Sequence, residues 1–167
     1  MTAPWCSIPT LFGLACLGGG KTAAWDLARR RPLWQRPIES DADGGSFAKW
    51  LDGGRTVLLF DGSTNLGHFL DGLTGKPRCA PLEDVLEAYW DGHRVVVLRP
   101  HEIRFYDRSL HKLLRKVDSD GPFSIAGLSP DQKHLHLMGA GDPADLWILP
   151  PKALWELTRP KSKNKTD

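Results

Sequence analysis

The sequence predicts an all-β fold in which a unit of four short antiparallel strands is repeated about four times. Three kinds of observation support this: regularly spaced turns, regularly spaced strand endings, and 17 glycines and 13 prolines spread along the chain, which favour many short elements. The turns lie 39 and 40 residues apart, at Asp52-Gly53, Asp91-Gly92 and Asp131-Gln132. Four apolar or aromatic strand endings reach Asp26, Asp71, Asp107 and Ile148, at intervals of 45, 36 and 41 residues.

Each repeat is predicted to be a meander of four strands. The repeats are expected at 5–37, 46–80, 85–117 and 123–157, within one domain that covers 1–157. The first repeat is incomplete: its second, third and fourth strands are predicted at 11–17, 22–25 and 33–36, and only 5–8 remains for a first strand. In the other three repeats the predicted strands are 47–50, 55–60, 66–70 and 76–80; 85–90, 94–99, 103–106 and 112–117; and 123–128, 134–139, 145–149 and 153–157.

One segment also fits a helix. Apolar residues in 81–90 recur at helical spacing, and Pro81 suits the first turn of a helix. A short helix between two repeats is therefore the alternative to a strand at this point.

The repeats are expected to stack on one another. A single meander of this length has two apolar faces and cannot bury both alone. Radial stacking of such sheets gives a β-propeller, which has about four to eight blades. Four units are at the low end of that range, so the chain is expected either to be part of a larger propeller or to form a homo-oligomer that completes the ring. The basic segment 158–167 is predicted to be a disordered tail.

Several segments resemble WD40 repeats. The resemblance rests on Trp25-Asp26-Leu27, on Phe105-Tyr106-Asp107, on the strand and turn from Gly127 to Gln132, and on the tight turn from Asp71 to Lys76. The resemblance implies a propeller that acts as a non-catalytic scaffold for protein–protein interaction. One family feature is missing, because the Gly-His pairs of this sequence lie in a different register from the Gly-His pair that precedes the first strand of a WD40 repeat.

The predicted partner-binding surface consists of the loops between second and third strands and the links between blades. The candidate residues on them are Asp61, Asn65, His101, Glu102, Asp118, Asp120 and Asp142.

The main alternative is a phosphate-binding loop at Ala15–Thr22, with Lys21 at the terminal phosphates and Thr22 on magnesium. It requires a helix from Thr22 to Trp34, which Pro32 would break. A glycine hairpin between two strands is the competing interpretation and is favoured. A second alternative is a quinoprotein-like propeller fragment, because Ala24-Trp25-Asp26 followed by Trp34 resembles the docking motif of those propellers.

The amino-acid composition narrows the remaining classes of function and partner. Lys and Arg number 22 against 20 Asp and Glu, so no strong net charge favours nucleic acid or a membrane surface as partner. The three cysteines are widely spaced and predict neither a disulfide framework nor a zinc site, which favours a reducing, cytoplasmic location. The six histidines, the serines and the carboxylates form no recognisable metal site or catalytic triad. No cofactor and no catalytic residue is therefore predicted.

Overall fold

A computed structural model describes residues 14–18, 21–37, 46–119, 121–129, 133–140 and 145–158, with the backbone alone for 14–18 and 125. In these ranges the protein consists of β-strands and one short helix. The strands are β1 (Leu14–Gly18), β2 (Lys21–Asp26), β3 (Arg31–Pro37), β4 (Phe47–Leu51), β5 (Thr56–Asp61), β6 (Leu66–Asp71), β7 (Leu82–Glu83), β8 (Glu87–Trp90), β9 (Val95–Arg99), β10 (Glu102–Tyr106), β11 (Leu113–Asp118), β12 (Phe123–Leu128), β13 (Leu135–Gly139) and β14 (Leu146–Leu149), followed by helix α1 (Ala153–Leu157).

The strands form four antiparallel meanders, in which every strand pairs with its neighbours in the sequence. Sheet A contains β1 to β3, sheet B contains β4 to β7, sheet C contains β8 to β11, and sheet D contains β12 to β14. This confirms the predicted all-β array of antiparallel blades with an incomplete first blade. The described sheets do not close into a ring.

Three apolar layers hold the sheets together, and the alternation of side chains along the central strands explains them. In β5, Val57 and Leu59 pack towards sheet A, whereas Leu58 packs towards sheet C. In β9, Val96 and Leu98 pack towards sheet D. Sheets B and C are therefore buried on both faces, which is why their strands are continuous apolar runs.

Sheet A differs from the prediction in the position of its strands. β1 lies beside β4, as β8 lies beside β12, so β1 is the first strand of its sheet and not the second. Near the end of β3, the Arg36 guanidinium donates a hydrogen bond of 3.0 Å to the Gly75 carbonyl in the β6–β7 turn. The β2–β3 turn therefore lies at the other edge and corresponds to the β5–β6 turn.

Two predicted fourth strands are wrong. Segment 76–80 is a loop with a single bridge between Pro77 and Leu70, and the fourth strand of sheet B is the short β7. Segment 153–157 is helix α1 and not a strand. It follows Pro150 and Pro151, and a helix tolerates proline at its start because the first N–H groups have no partner within the helix.

The helix alternative for 81–90 is also wrong, because this segment contains β7 and β8. Asp84 adopts a left-handed backbone conformation with φ of 52°, which interrupts any regular element there.

The alternative of a phosphate-binding loop at Ala15–Thr22 is contradicted by the hairpin of β1 and β2. These strands pair antiparallel, with Gly18 opposite Lys21, and Lys21–Asp26 is a strand where the nucleotide motif needs a helix. Thr22 is completely buried, so its hydroxyl is not placed to hold magnesium. The favoured hairpin is confirmed.

Candidate partner interface

Loops from three sheets meet at one edge of the molecule. We call it the loop edge and define it as residues 61–65, 100–102, 118–119, 121–122 and 139–140. Consecutive antiparallel strands place alternate turns at opposite edges, so the second-to-third turns and the links between sheets share an edge. Backbone hydrogen bonds join the loops of sheets C and D: Ser119 N donates to His101 O at 2.9 Å, and Ala140 N donates to Pro122 O at 2.9 Å.

Asp61 and Asn65 shape the β5–β6 turn of the loop edge. The Asp61 carboxylate accepts hydrogen bonds from the Ser63 and Thr64 hydroxyls at 2.7 and 2.8 Å. Slight burial acts to raise the pKa of Asp61, but these hydrogen bonds outweigh it and lower the pKa. Asn65 closes the turn in the left-handed conformation, with φ of 56°. The Asp61 carboxylate is therefore engaged within its own turn, while the Asn65 carbonyl accepts a bond from Asp84 N at 2.9 Å.

Glu102 is the centre of an ionic cluster. Its side chain pairs with Arg99, with Arg104 at 2.5 Å and with Lys116 at 2.8 Å, although only 8% of the residue is exposed. Burial acts to raise the pKa of Glu102, but the Lys116 hydrogen bond and the arginine charges outweigh it and lower the pKa. Lys116 also bridges to Asp118 at 3.1 Å, so the structure brings two predicted residues together through one lysine.

The remaining predicted residues have different positions. The His101 side chain is exposed on the loop edge next to Glu102. The Asp118 side chain is 80% exposed, so it is accessible to a partner despite its bridge to Lys116. Asp120 and Asp142 lie outside the described residues.

An apolar cleft of about 620 Å³ opens beside the ionic cluster, between sheets C and D. Sequence reasoning missed it, because its walls come from segments distant in the sequence. The sequence signal nearest to it is the tryptophan of the fourth repeat, Trp147, which is 41% exposed and meets the Phe123 ring edge-to-face at 6.4 Å. Polar lining atoms come from Ser119 and Asp145 among others, and the main apolar lining residues are Ile103, Phe123, Leu137, Trp147, Leu149 and Leu154.

Trp34, from the motif that resembles the docking motif of quinoprotein-like propellers, lies between sheets A and B, away from the cleft. The Trp34 indole N–H donates to the Gly72 carbonyl at 3.0 Å. Gly75 lies directly against the indole ring, since a Cβ atom at this glycine would come within 2.7 Å of it. Trp34 therefore joins one sheet to the next, and its indole N–H is used in that contact.

Two further features, a metal site and a membrane-spanning helix, are absent from the described ranges. No group of three or more His, Cys, Asp or Glu residues there is arranged to hold a metal ion. In the same ranges, no helix is long and apolar enough to cross a membrane.

Comparisons with known proteins show the fold. No protein-family model matches the sequence, and no curated protein matches it. BamB from Moraxella catarrhalis is similar in structure, with a TM-score of 0.60 and 10% identity over 87% of this chain. Hydrazine synthase from Kuenenia stuttgartiensis has a TM-score of 0.53 and 10% identity over 83% of this chain. Both neighbours are β-propellers.

The chain has a β-propeller-like fold. It covers 42% of the length of each of these two neighbours, which fits a partial propeller. At 10% identity the likeness concerns the fold of this propeller-like chain and not what it binds.

Proposed function

We propose that this chain is a non-catalytic, WD40-like propeller scaffold that binds a protein partner at the loop edge. The observation that carries the proposal is the combination of a polar rim with an apolar cleft at the same edge. Glu102 and Asp118 belong to the rim, and the cleft of about 620 Å³ lies next to it. Protein interfaces have this anatomy, with a desolvated apolar centre inside a polar, hydrated rim.

The pairing of the charged groups supports a binding role over a catalytic one. The Glu102 carboxylate is committed to three cations, and its lowered pKa keeps it ionised at neutral pH, when it cannot donate a proton. A general acid or base needs a pKa near the working pH, which neither Glu102 nor Asp61 has. A fixed ion-pair cluster instead gives a partner a rigid pattern of charge.

The proposal can be tested by site-specific photo-cross-linking in the organism of origin. A photoreactive amino acid at His101 samples the loop edge, and one at Leu73, which is 66% exposed in the β6–β7 turn, samples the opposite edge as a matched control. We expect a discrete cross-linked protein from the His101 position and none from Leu73. Cross-linking from Leu73 alone, or equally from both positions, would place binding elsewhere and contradict the proposal.

A further inference from the structure

Among the described residues, sheet D ends in β14, a strand that is paired on one side alone. Sheets B and C each have a fourth strand, β7 and β11, whereas β14 is the last strand of sheet D in the described ranges. Gly139 N donates to Asp145 O, which identifies Gly139 and Asp145 as a hydrogen-bonded pair. Bonded and non-bonded pairs alternate along an antiparallel ladder, so the N–H and C=O groups of Leu146 and Ile148 point away from β13. Within the described part of the chain no strand pairs with these groups, and they form a free edge that can pair with another strand.

The apolar cleft lies along this free edge. Trp147 and Leu149 line it from β14, and opposite residues of paired strands project to the same face of a sheet. Residues of an added strand that lie opposite Trp147 and Leu149 would therefore enter the cleft. The fourth strand of sheet C shows the same arrangement, because Val117 of β11 packs into the layer between sheets C and D.

A negative charge at one end of the cleft, on Asp145, favours an added strand that carries a cation at that end. Asp145 lines the cleft on the same face as Trp147, is exposed, and has no ion-pair partner among the described residues. A cation opposite Asp145 would complement this charge, while the apolar lining selects uncharged side chains further along the strand. The cleft volume of about 620 Å³ is within the range of roughly 300–1,000 Å³ that is usual for binding pockets.

We propose that an extended segment of a partner protein adds to β14 as the fourth strand of sheet D. Alternate apolar side chains of this segment occupy the cleft, and a Lys or Arg lies beside Asp145. Backbone hydrogen bonds to Leu146 and Ile148 supply affinity, and the cleft supplies specificity. This inference rests on the proposed binding function and names the class of partner.

The probe is the blocked peptide acetyl-Thr-Val-Thr-Phe-Thr-Lys-Thr-amide, which is written for antiparallel pairing. In this register Val lies opposite Leu149, Phe opposite Trp147 and Lys opposite Asp145, while the two threonines between them face Ile148 and Leu146. Titration calorimetry with the whole chain measures binding. N-methylation of those two threonines removes the N–H groups that pair with β14, so we expect about a tenfold loss of affinity or more. N-methylation of Val and Phe, whose N–H groups point away from β14, is the matched control and is expected to change affinity less than about twofold.

Protein variants test the same contact from the other side. Ile148→Pro removes an outward-facing N–H, which an edge strand tolerates, and we expect it to weaken peptide binding about tenfold while Ile148→Val does not. Ala140→Phe places a ring in the cleft and is expected to have a similar effect. Circular dichroism of each variant verifies that the fold is retained.

Three results would overturn the inference. Absence of binding at millimolar peptide excludes strand addition, and the cross-linking experiment at His101 then judges the binding function separately. Binding that is lost in Ala140→Phe but insensitive to N-methylation shows that the cleft is used without strand addition, so the proposed function stands. A dimer of this chain that dissociates in Ile148→Pro identifies a second copy as the occupant.

Discussion

The Glu102 carboxylate compensates the positive charges of three neighbouring side chains beside the loop edge. Arg99 and Arg104 each have a buried Nε atom without a hydrogen-bond partner among the described residues, and both guanidinium groups pair with the Glu102 carboxylate. Arg99 has a second, longer ion pair with Asp84 at 3.6 Å. Lys116 completes the set from β11. An uncompensated buried charge is costly, and loss of one carboxylate therefore affects three cations together.

We predict that Glu102→Gln lowers the free energy of unfolding by about 1–2 kcal/mol at neutral pH. The pKa of Glu102 is lowered in the folded state, so its contribution is complete above the ordinary carboxyl pKa of 4.5 and is lost as the pH falls through the folded-state pKa. The difference between wild type and variant should therefore narrow as the pH decreases below 4.5. Urea unfolding at a series of pH values measures it.

Asp118→Asn is the matched control for this series. Its side chain is 80% exposed and contacts the cluster through Lys116 alone, so we expect a change within about 0.5 kcal/mol. A Glu102→Gln effect that stays constant down to the lowest pH would show that the charge of Glu102 is not its cause.

At the scale of elements, helix α1 stands where the repeat predicts the fourth strand of sheet D, and it packs against sheets C and D. Leu154 enters the layer between sheets C and D, and Tyr89 Oη donates to the Pro151 carbonyl at 3.0 Å. The Trp155 ring lies between two guanidinium groups, with Arg94 at 3.8 Å and Arg115 at 3.6 Å from its centroid. The helix thereby contributes to the layer between the two sheets, next to the cleft.

The sequence could not predict this exchange of strand for helix. The repeat period placed a strand at 153–157, and Leu154 and Trp155 are apolar in either structure. The helix is stabilised by contacts with Arg94 and Arg115, which precede it by about 40 to 60 residues and leave no local signal. Long-range packing of this kind overrides local propensity.

We predict that Trp155→Ala lowers the free energy of unfolding by about 3 kcal/mol, because it removes a ring held between two arginines and against Phe105. Trp147→Ala is the matched control, since its ring is 41% exposed, and we expect a loss of about 1 kcal/mol. Equilibrium unfolding in urea measures both. Equal losses would mean that the Trp155 stack does not stabilise the junction.

At the scale of the whole molecule, the stacking of the sheets could be predicted from the sequence. The positions of β1, β2 and β3 within the first blade could not. The double-faced apolar runs of β5 and β9 predict sheets covered on both sides, as observed. Asp26, Asp61 and Asp71 each accept a backbone N–H within their own turn, yet Asp71 lies at the edge opposite the other two. The same turn chemistry serves both edges, so spacing assigned Asp26 to the wrong strand of its blade.

One part of the candidate site, the loop edge, could likewise be predicted from the sequence, and the other part, the cleft, could not. The alternation of turns predicts that Asn65, His101, Glu102 and Asp118 share one edge, because antiparallel connectivity alone determines it. The cleft depends on how Ile103 of sheet C and Leu137 of sheet D face each other across the gap. No local sequence pattern encodes the width of the gap between these two sheets.

The order of the sheets also predicts how stability is distributed. Sheets B and C are covered on both faces, whereas sheets A and D have one sheet neighbour each among the described elements. In stacked repeats each unit gains stability from its neighbours, so the outer sheets should open first. We predict that amide hydrogens in β5 and β9 exchange at least about tenfold more slowly than those in β2 and β13.

The four strands form a matched set, because each is paired on both sides within its sheet. Backbone hydrogen bonding is therefore equivalent, and a difference in exchange rate reports the number of covering neighbours. Hydrogen–deuterium exchange followed by mass spectrometry measures the four segments in one experiment. Equal rates in all four would show a single cooperative unit, in which the outer sheets are as firmly held as the inner ones and stacking does not set the order of opening.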